Sequence, residues 1–315
     1  MAISFGGTVY AWSSGPIIAL FVLFGVLMIV FLTQQILCIA TTKETRLWPV
    51  EFLTNPFMIN MFLQVAGATT GVFIPIYFIP LYFSFVEGDA ALQSGVRLLS
   101  YVIPMVVICV MNGYSMSYFG YYTPWFIFGA IFTLVGSALL YTIDTSTSNA
   151  RVYAYSALGG LGSGAYIQAT FSVAQLKAPK GLGKYVVGFL TNAQLAGPAF
   201  ALSIANAAFL NEATNSLENI LPQISKSQIQ LVIDGAGSDV VDSLGVGTKQ
   251  MVTGAIVKAL DKPFVVSLTA GALTLLLALC LKWEKLFVKE GKEGGGLVCV
   301  FLMEWLSGTW KLERR

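Results

Sequence analysis

The feature that most constrains this chain is a series of long windows without a charged residue. No Asp, Glu, Lys or Arg occurs in residues 1–42, 55–86, 98–143, 152–176, 185–211 or 263–281. A helix needs roughly 20 apolar residues, at about 1.5 Å each, to cross about 30 Å of hydrocarbon. One ionised side chain at mid-helix costs about 2.5–3.5 kcal/mol on the insertion scale, so lipid selects for windows of this length. Soluble domains carry about 25% charged residues. Here the figure is 11%, against 56% apolar residues and a mean hydropathy of +0.74. These windows predict an all-α, polytopic membrane protein whose first partner is the lipid bilayer.

Composition also removes several kinds of function. A net charge of +2 gives no basis for a nucleic-acid partner. Histidine is absent, and with it the usual general base, the Ser-His and Cys-His pairs and the commonest metal ligand. The four cysteines, Cys38, Cys109, Cys280 and Cys299, show no CxxC spacing. Those in or beside apolar windows read as small buried thiols rather than as a disulfide framework. The expectation is a protein with no metal, no cofactor and no enzymatic activity.

The windows divide into about seven transmembrane helices, near 15–39, 56–85, 98–118, 123–143, 152–175, 186–210 and 263–281. The third and fourth share one window, broken at Gly120-Tyr121-Tyr122-Thr123-Pro124, where Gly and Pro supply a turn and a helix start. Lys and Arg in short loops mark the cytoplasmic side. Lys43 and Arg46 follow the first span, Lys177, Lys180 and Lys184 the fifth, and Lys282, Lys285, Lys289 and Lys292 the seventh. Loops 87–97 and 144–151 carry one Arg each plus acids. The C-terminus is therefore expected in the cytoplasm, although the loop after the third span, which belongs on the same side, carries no charge. Residues 211–262 form the one long loop, on the outside. It alternates short apolar pieces with turn residues such as Asp234-Gly235, and reads either as a cap of short helices or as a mobile connector.

Several stretches carry a resemblance. Tyr77-Phe78-Ile79-Pro80-Leu81-Tyr82-Phe83 is followed by Ala90-Ala91-Leu92-Gln93-Ser94-Gly95-Val96-Arg97. Gly7-Thr8-Val9-Tyr10-Ala11-Trp12 lies upstream; Gly159-Gly160-Leu161-Gly162-Ser163-Gly164-Ala165-Tyr166-Ile167-Gln168 and Ala201-Leu202-Ser203-Ile204-Ala205-Asn206 lie downstream. In this order they resemble the C-terminal half of fourteen-helix drug:proton antiporters of the major facilitator superfamily, and within it the fungal toxin-efflux carriers. The likeness runs from about residue 6 to 290. It implies an external segment (1–14), a linker transmembrane helix (15–42), a six-helix C-terminal domain (43–290) containing the loop 211–262, and an atypical cytoplasmic tail (291–315).

The resemblance also implies efflux of a small hydrophobic toxin, drug or secondary metabolite, proton antiport, a plasma-membrane location, and a missing N-terminal half or another chain as partner. A non-transporting membrane module that associates with a partner or with itself is the alternative. The 113–122 segment stands where the superfamily has a charged loop motif, but every charged position is Ser or Tyr. It reads as a structural turn that cannot gate through ion pairs of its own. No acid lies within a span, so intramembrane proton coupling is not located in this chain. Both ends are expected to reflect a truncated or mispredicted reading frame.

Polar side chains inside spans mark either a substrate path or interhelical hydrogen bonds. The candidates are Gln64, Thr69, Thr70 and Tyr77 on the second span, Tyr166, Gln168 and Thr170 on the fifth, and Asn192 and Gln194 on the sixth. Under the resemblance, the second and fifth spans contribute most to the cavity. Gly159, Gly160, Gly162 and Gly164, with Gly197 and Pro198, read as close helix packing or as a flexible gate, since Gly costs about 1 kcal/mol against Ala in a helix.

Overall fold

The computed structural model describes residue 3 and residues 12–37, 48–179, 181–223, 226–233 and 246–285. Lys43, Arg46, Lys180, Lys289, Lys292, Cys38, Cys299, most of the segment before residue 12 and the 291–315 tail lie outside the described residues. Every described element is helical: α1 Gly15–Leu37, α2 Val50–Thr54, α3 Pro56–Val86, α4 Ala91–Arg97, α5 Leu99–Phe119, α6 Thr123–Tyr141, α7 Asn149–Gly164, α8 Ile167–Leu176, α9 Gly183–Ile220, α10 Lys226–Ile233, α11 Val246–Ala259 and α12 Asp261–Leu279. Among the described residues six helical stretches are long and apolar enough to cross a membrane, one of them joining α4 to α5 and another α11 to α12. The remaining expected span is present as two shorter pieces, α7 and α8.

Local chemistry sets the boundaries. Asn55 caps α3, its side chain accepting from the Phe57 amide, and Pro56 occupies the first turn where no amide partner is needed. Gly120, at φ +72°, ends α5 in the left-handed conformation that only Gly adopts without strain. Pro124 then starts α6, so the short turn lies where Gly and Pro placed it. The break between α7 and α8 was not visible in the sequence. Tyr166 leaves helical geometry at φ −134°, ψ −10°. The freed Ala165 carbonyl accepts from the Asn112 side chain of α5, which satisfies a backbone group that lipid could not.

α3 is central and packs against α9 and α12. α6 packs between α12 and α7, and α7 against α5. The core has two apolar layers. One, at the end holding Trp48 and Lys282, includes Phe52, Met58, Met61, Tyr122, Phe126, Val173 and Phe189. The other, at the opposite end, includes Phe78, Tyr82, Tyr101, Leu140, Val152 and Phe209. Between them the helices meet through small and hydroxylated residues: Gly67 against Thr274, Gly71 against Thr133, Gly136 against Gly159. Ser137 and Ser267 share a 2.8 Å hydrogen bond. Apolar burial gives little drive between helices already in lipid, so close backbone approach supplies the attraction.

The sixth span runs further than expected. α9 continues through Ile220, into what the sequence suggested was loop, and α10 and α11 are helical as well. Leu217, Leu221, Ile229, Val232, Val252 and Ile256 are buried in the same apolar layer as Phe78. The described part of 211–262 is thus a packed helical cap, because its spaced apolar residues form one buried face; residues 234–245 lie outside the described residues.

At the capped end, Tyr82 donates to the Asp144 carbonyl at 2.9 Å. The Asp144 carboxylate accepts from Ser146 and Thr147. Hydrogen bonds from the Ser146 and Thr147 side chains, and from the Ser146 amide, hold this carboxyl below its ordinary 3.8. A depressed pKa favours the folded turn above that value, and the advantage disappears as pH falls through the folded pKa. Protection of the Ser146 and Thr147 amides, measured against the intrinsic exchange rate at each pH, should therefore fall in acid below pH 3.8, and Asp144→Asn should abolish that dependence.

Candidate functional site

α3 and the α7–α8 pair each leave one stripe uncovered. Beyond Pro56 at its start, the exposed positions on α3 are Ile59, Leu63, Phe73, Tyr77 and Ser84, spaced by the helical repeat. Midway along it, α9 covers the stripe, and Gly197 lies so close to Ala66 that a Cβ there would sit 2.7 Å from the Ala66 carbonyl. On α7 and α8 the exposed positions include Ala154, Gln168, Ser172 and Gln175. α8 contacts α3, α9 and α5, so the two stripes run on neighbouring helices. Lipid does not select for three polar residues along one face of a charge-free span. The side-chain amides of Gln168 and Gln175 have no partner among the described residues.

The sequence candidates divide into two groups. Gln64 is fully buried, and its amide donates to the Thr274 carbonyl at 3.1 Å. Tyr166 is equally buried and donates to Thr274 Oγ1 at 3.3 Å. Thr69 and Thr70 bond back to the Ala66 carbonyl in their own helix, and Thr170 to that of Tyr166. These groups sit inside the bundle, joined to α12 or to their own turn. By contrast, Tyr77 is 52% exposed and Gln168 is exposed. Asn192 and Gln194 are half-buried on α9, with Asn192 donating to the Gly188 carbonyl at 2.8 Å. Only Tyr77 and Gln168 therefore lie fully on the open stripes.

Ser172 and Gln175 were missed by sequence reasoning. The signal was available: both follow Gln168 at helical spacing, four and seven residues on. Tyr101 was also missed. It is fully buried, 2.9 Å from the Gly71 carbonyl and 2.7 Å from Ser163 Oγ, and ties α5 to α3 and α7.

The glycines lie where helices touch. A Cβ on Gly160 would collide with the Tyr101 carbonyl, one on Gly164 with the Met105 carbonyl, and one on Gly162 with the Thr133 amide. Pro198 is buried beside the Gly197 crossing. Cys109 and Cys280 are free thiols, and among the described residues no group of acids and cysteines could hold a metal ion.

The chain is 46% identical over 291 residues to the efflux pump alnA of Emericella nidulans, covering 92% of this chain and 53% of that protein. Over about nine-tenths of its length it is similar to efflux pumps and MFS-type transporters. The MFS-type transporter pgmG of Aspergillus terreus is 44% identical over 288 residues, covering 91% of this chain and 51% of its own length. The phomenoic acid biosynthesis cluster MFS-type transporter of Leptosphaeria maculans is 40% identical over 306 residues, covering 91% and 49%. No family model matches the chain. The chain spans about half the length of the curated relatives it matches, and it is an integral, multi-pass membrane protein.

Proposed function

We propose that this chain is the C-terminal domain of an efflux transporter of the fourteen-helix branch, exporting a small hydrophobic toxin, drug or secondary metabolite by proton antiport. The observation that carries the reading is the open polar stripe Gln168, Ser172 and Gln175 on α8, with the aromatic residues Phe73 and Tyr77 further along the open stripe of the neighbouring α3. Amides and a phenol offer hydrogen bonds to a neutral ligand, and the aromatic faces accept its apolar body. Transporters of this kind place their substrate between two halves that rock against each other. The open stripes are one wall of that site, and an N-terminal half or another chain supplies the other. The chain has no catalytic role.

The names of the relatives, efflux pumps and a biosynthesis-cluster transporter, support export of a secondary metabolite. Lys177, Lys184, Lys282 and Lys285 share one end of the bundle, while Asp89 and Asp144 lie at the capped end with Arg97 and Arg151. The positive-inside rule puts the basic end, and with it the C-terminus, in the cytoplasm of a plasma-membrane protein.

A chimera supplies the test, with this chain replacing the matching half of alnA. Export in vesicles is expected from the chimera, and none from the present chain reconstituted alone. A chimera that folds and inserts but does not export what alnA exports would sink the proposal. Export by the isolated chain would show that the second wall is not needed.

A further inference from the structure

The 113–122 segment lacks the charges of a gating loop, yet the fold brings charges to it. Lys177, directly after α8, is 2.6 Å from the Glu284 carboxylate beyond α12. The same ammonium donates to the Tyr122 hydroxyl at 2.9 Å and lies over the rings of Tyr122 and Phe57, 4.7 and 5.2 Å from their centroids. Tyr122 is fully buried and donates to the Lys282 carbonyl at 3.0 Å; Thr123 donates to that carbonyl at 2.9 Å. Tyr121 forms a backbone bridge with Lys285, whose ammonium lies over the Tyr121 ring. Four segments meet here: the start of α3, the α5–α6 turn, the end of α8 and the residues after α12.

We propose that Lys177, Glu284 and Tyr122 form a releasable clamp that fixes the position of α8 and hence of its polar stripe. Two features support release rather than permanent bracing. α8 is only ten residues long and is separated from α7 by the non-helical Tyr166, so its other end is not rigidly continued. Glu284 is about half exposed, with 49% of its side-chain surface open. Ion pairs of that exposure are weak and screened by salt. The aromatic rings and the Tyr122 hydroxyl fix where the ammonium sits, and the carboxylate supplies the part that can let go. The Lys177 hydrogen bond holds the Glu284 carboxyl below its ordinary 4.5, so the pair stays charged at neutral pH. The clamp follows from the geometry at this end alone; its bearing on transport rests on the proposed function.

Backbone hydrogen exchange of the full chain in detergent micelles tests it. In Glu284→Gln, exchange in 170–177 should rise about two- to fivefold, the factor set by losing one half-exposed ion pair from a two-state equilibrium. Exchange in α6 should stay as in the parent. Lys177→Met should also loosen 170–177, and adding Glu284→Gln to it should loosen them no further, because both substitutions break the same ion pair. Unchanged exchange in Glu284→Gln, or a double variant whose effect is the sum of the two single ones, overturns the proposal. Should Glu284→Gln unfold throughout, salt titration of the parent decides: α8 alone should loosen as salt rises to about 1 M, and exchange insensitive to salt overturns the clamp. None of these outcomes depends on export, so failure of the transport reading is scored separately.

Discussion

Gly162→Ala is expected to lower the stability of the bundle by about 1–3 kcal/mol, the usual range for overpacking a filled interior. The added methyl would strike the Thr133 amide, Thr133 Oγ1 and the Phe132 carbonyl carbon. All but one of these atoms are backbone, so no side chain can swing aside and relieve the contact. On the facing helix, a Cβ at Gly129 would in turn meet the Gly162 carbonyl. The α6–α7 crossing therefore has no slack on either side, and α7 must move away from α6. The comparison is Gly254→Ala in α11, where nothing lies within 4 Å of the added Cβ. There only helix propensity acts, a gain of up to about 1 kcal/mol. Unfolding in mixed micelles should give the two variants opposite signs. A Gly162→Ala chain as stable as its parent would mean that the helices cross further apart than described.

The second large effect separates the two groups of glutamines. In the alnA chimera, Gln168→Ala should cut export or ligand affinity up to about tenfold, the value of one good hydrogen bond to a neutral ligand. Its stability should change by no more than about 0.5 kcal/mol, because the side chain is exposed. Gln64→Ala should do the reverse. That residue is fully buried and bonded to the Thr274 carbonyl, and interhelical hydrogen bonds in membranes contribute about 0.6 kcal/mol, with an upper value near 1.7. Loss of the side chain's packing adds to this. Export per folded molecule should then match the parent. Full export by Gln168→Ala would remove α8 from the substrate path. Lost export at full stability in Gln64→Ala would place the path inside the bundle instead.

The two glutamines look alike in sequence. Each is an amide within a charge-free window, and hydropathy treats them the same. Their opposite surroundings come from which side of the helix the neighbours cover, and the neighbours of Gln64 lie more than two hundred residues away, at Thr274. The glycines were more legible, since their number in one span already pointed to close approach; which backbone each one meets was not. The loop at 113–122 was read as unable to form ion pairs by its own residues. That holds for its side chains, but Lys177 and Glu284 are brought to Tyr122 by the fold.

The sequence by itself determined the class, the places of most spans and the basic ends of the loops, because these follow from local costs: charge in hydrocarbon, Gly and Pro in backbone geometry, Lys and Arg at the membrane surface. Only the tertiary structure decided the break at Tyr166, the helical cap beyond Asn211 and the pairing of Lys177 with Glu284. Each depends on a partner distant in the chain: Asn112 for the Ala165 carbonyl, Phe78 and its neighbours for the apolar face of α11, Glu284 for the ammonium. Periodicity records how a helix faces lipid, and it carries no term for what a helix meets inside.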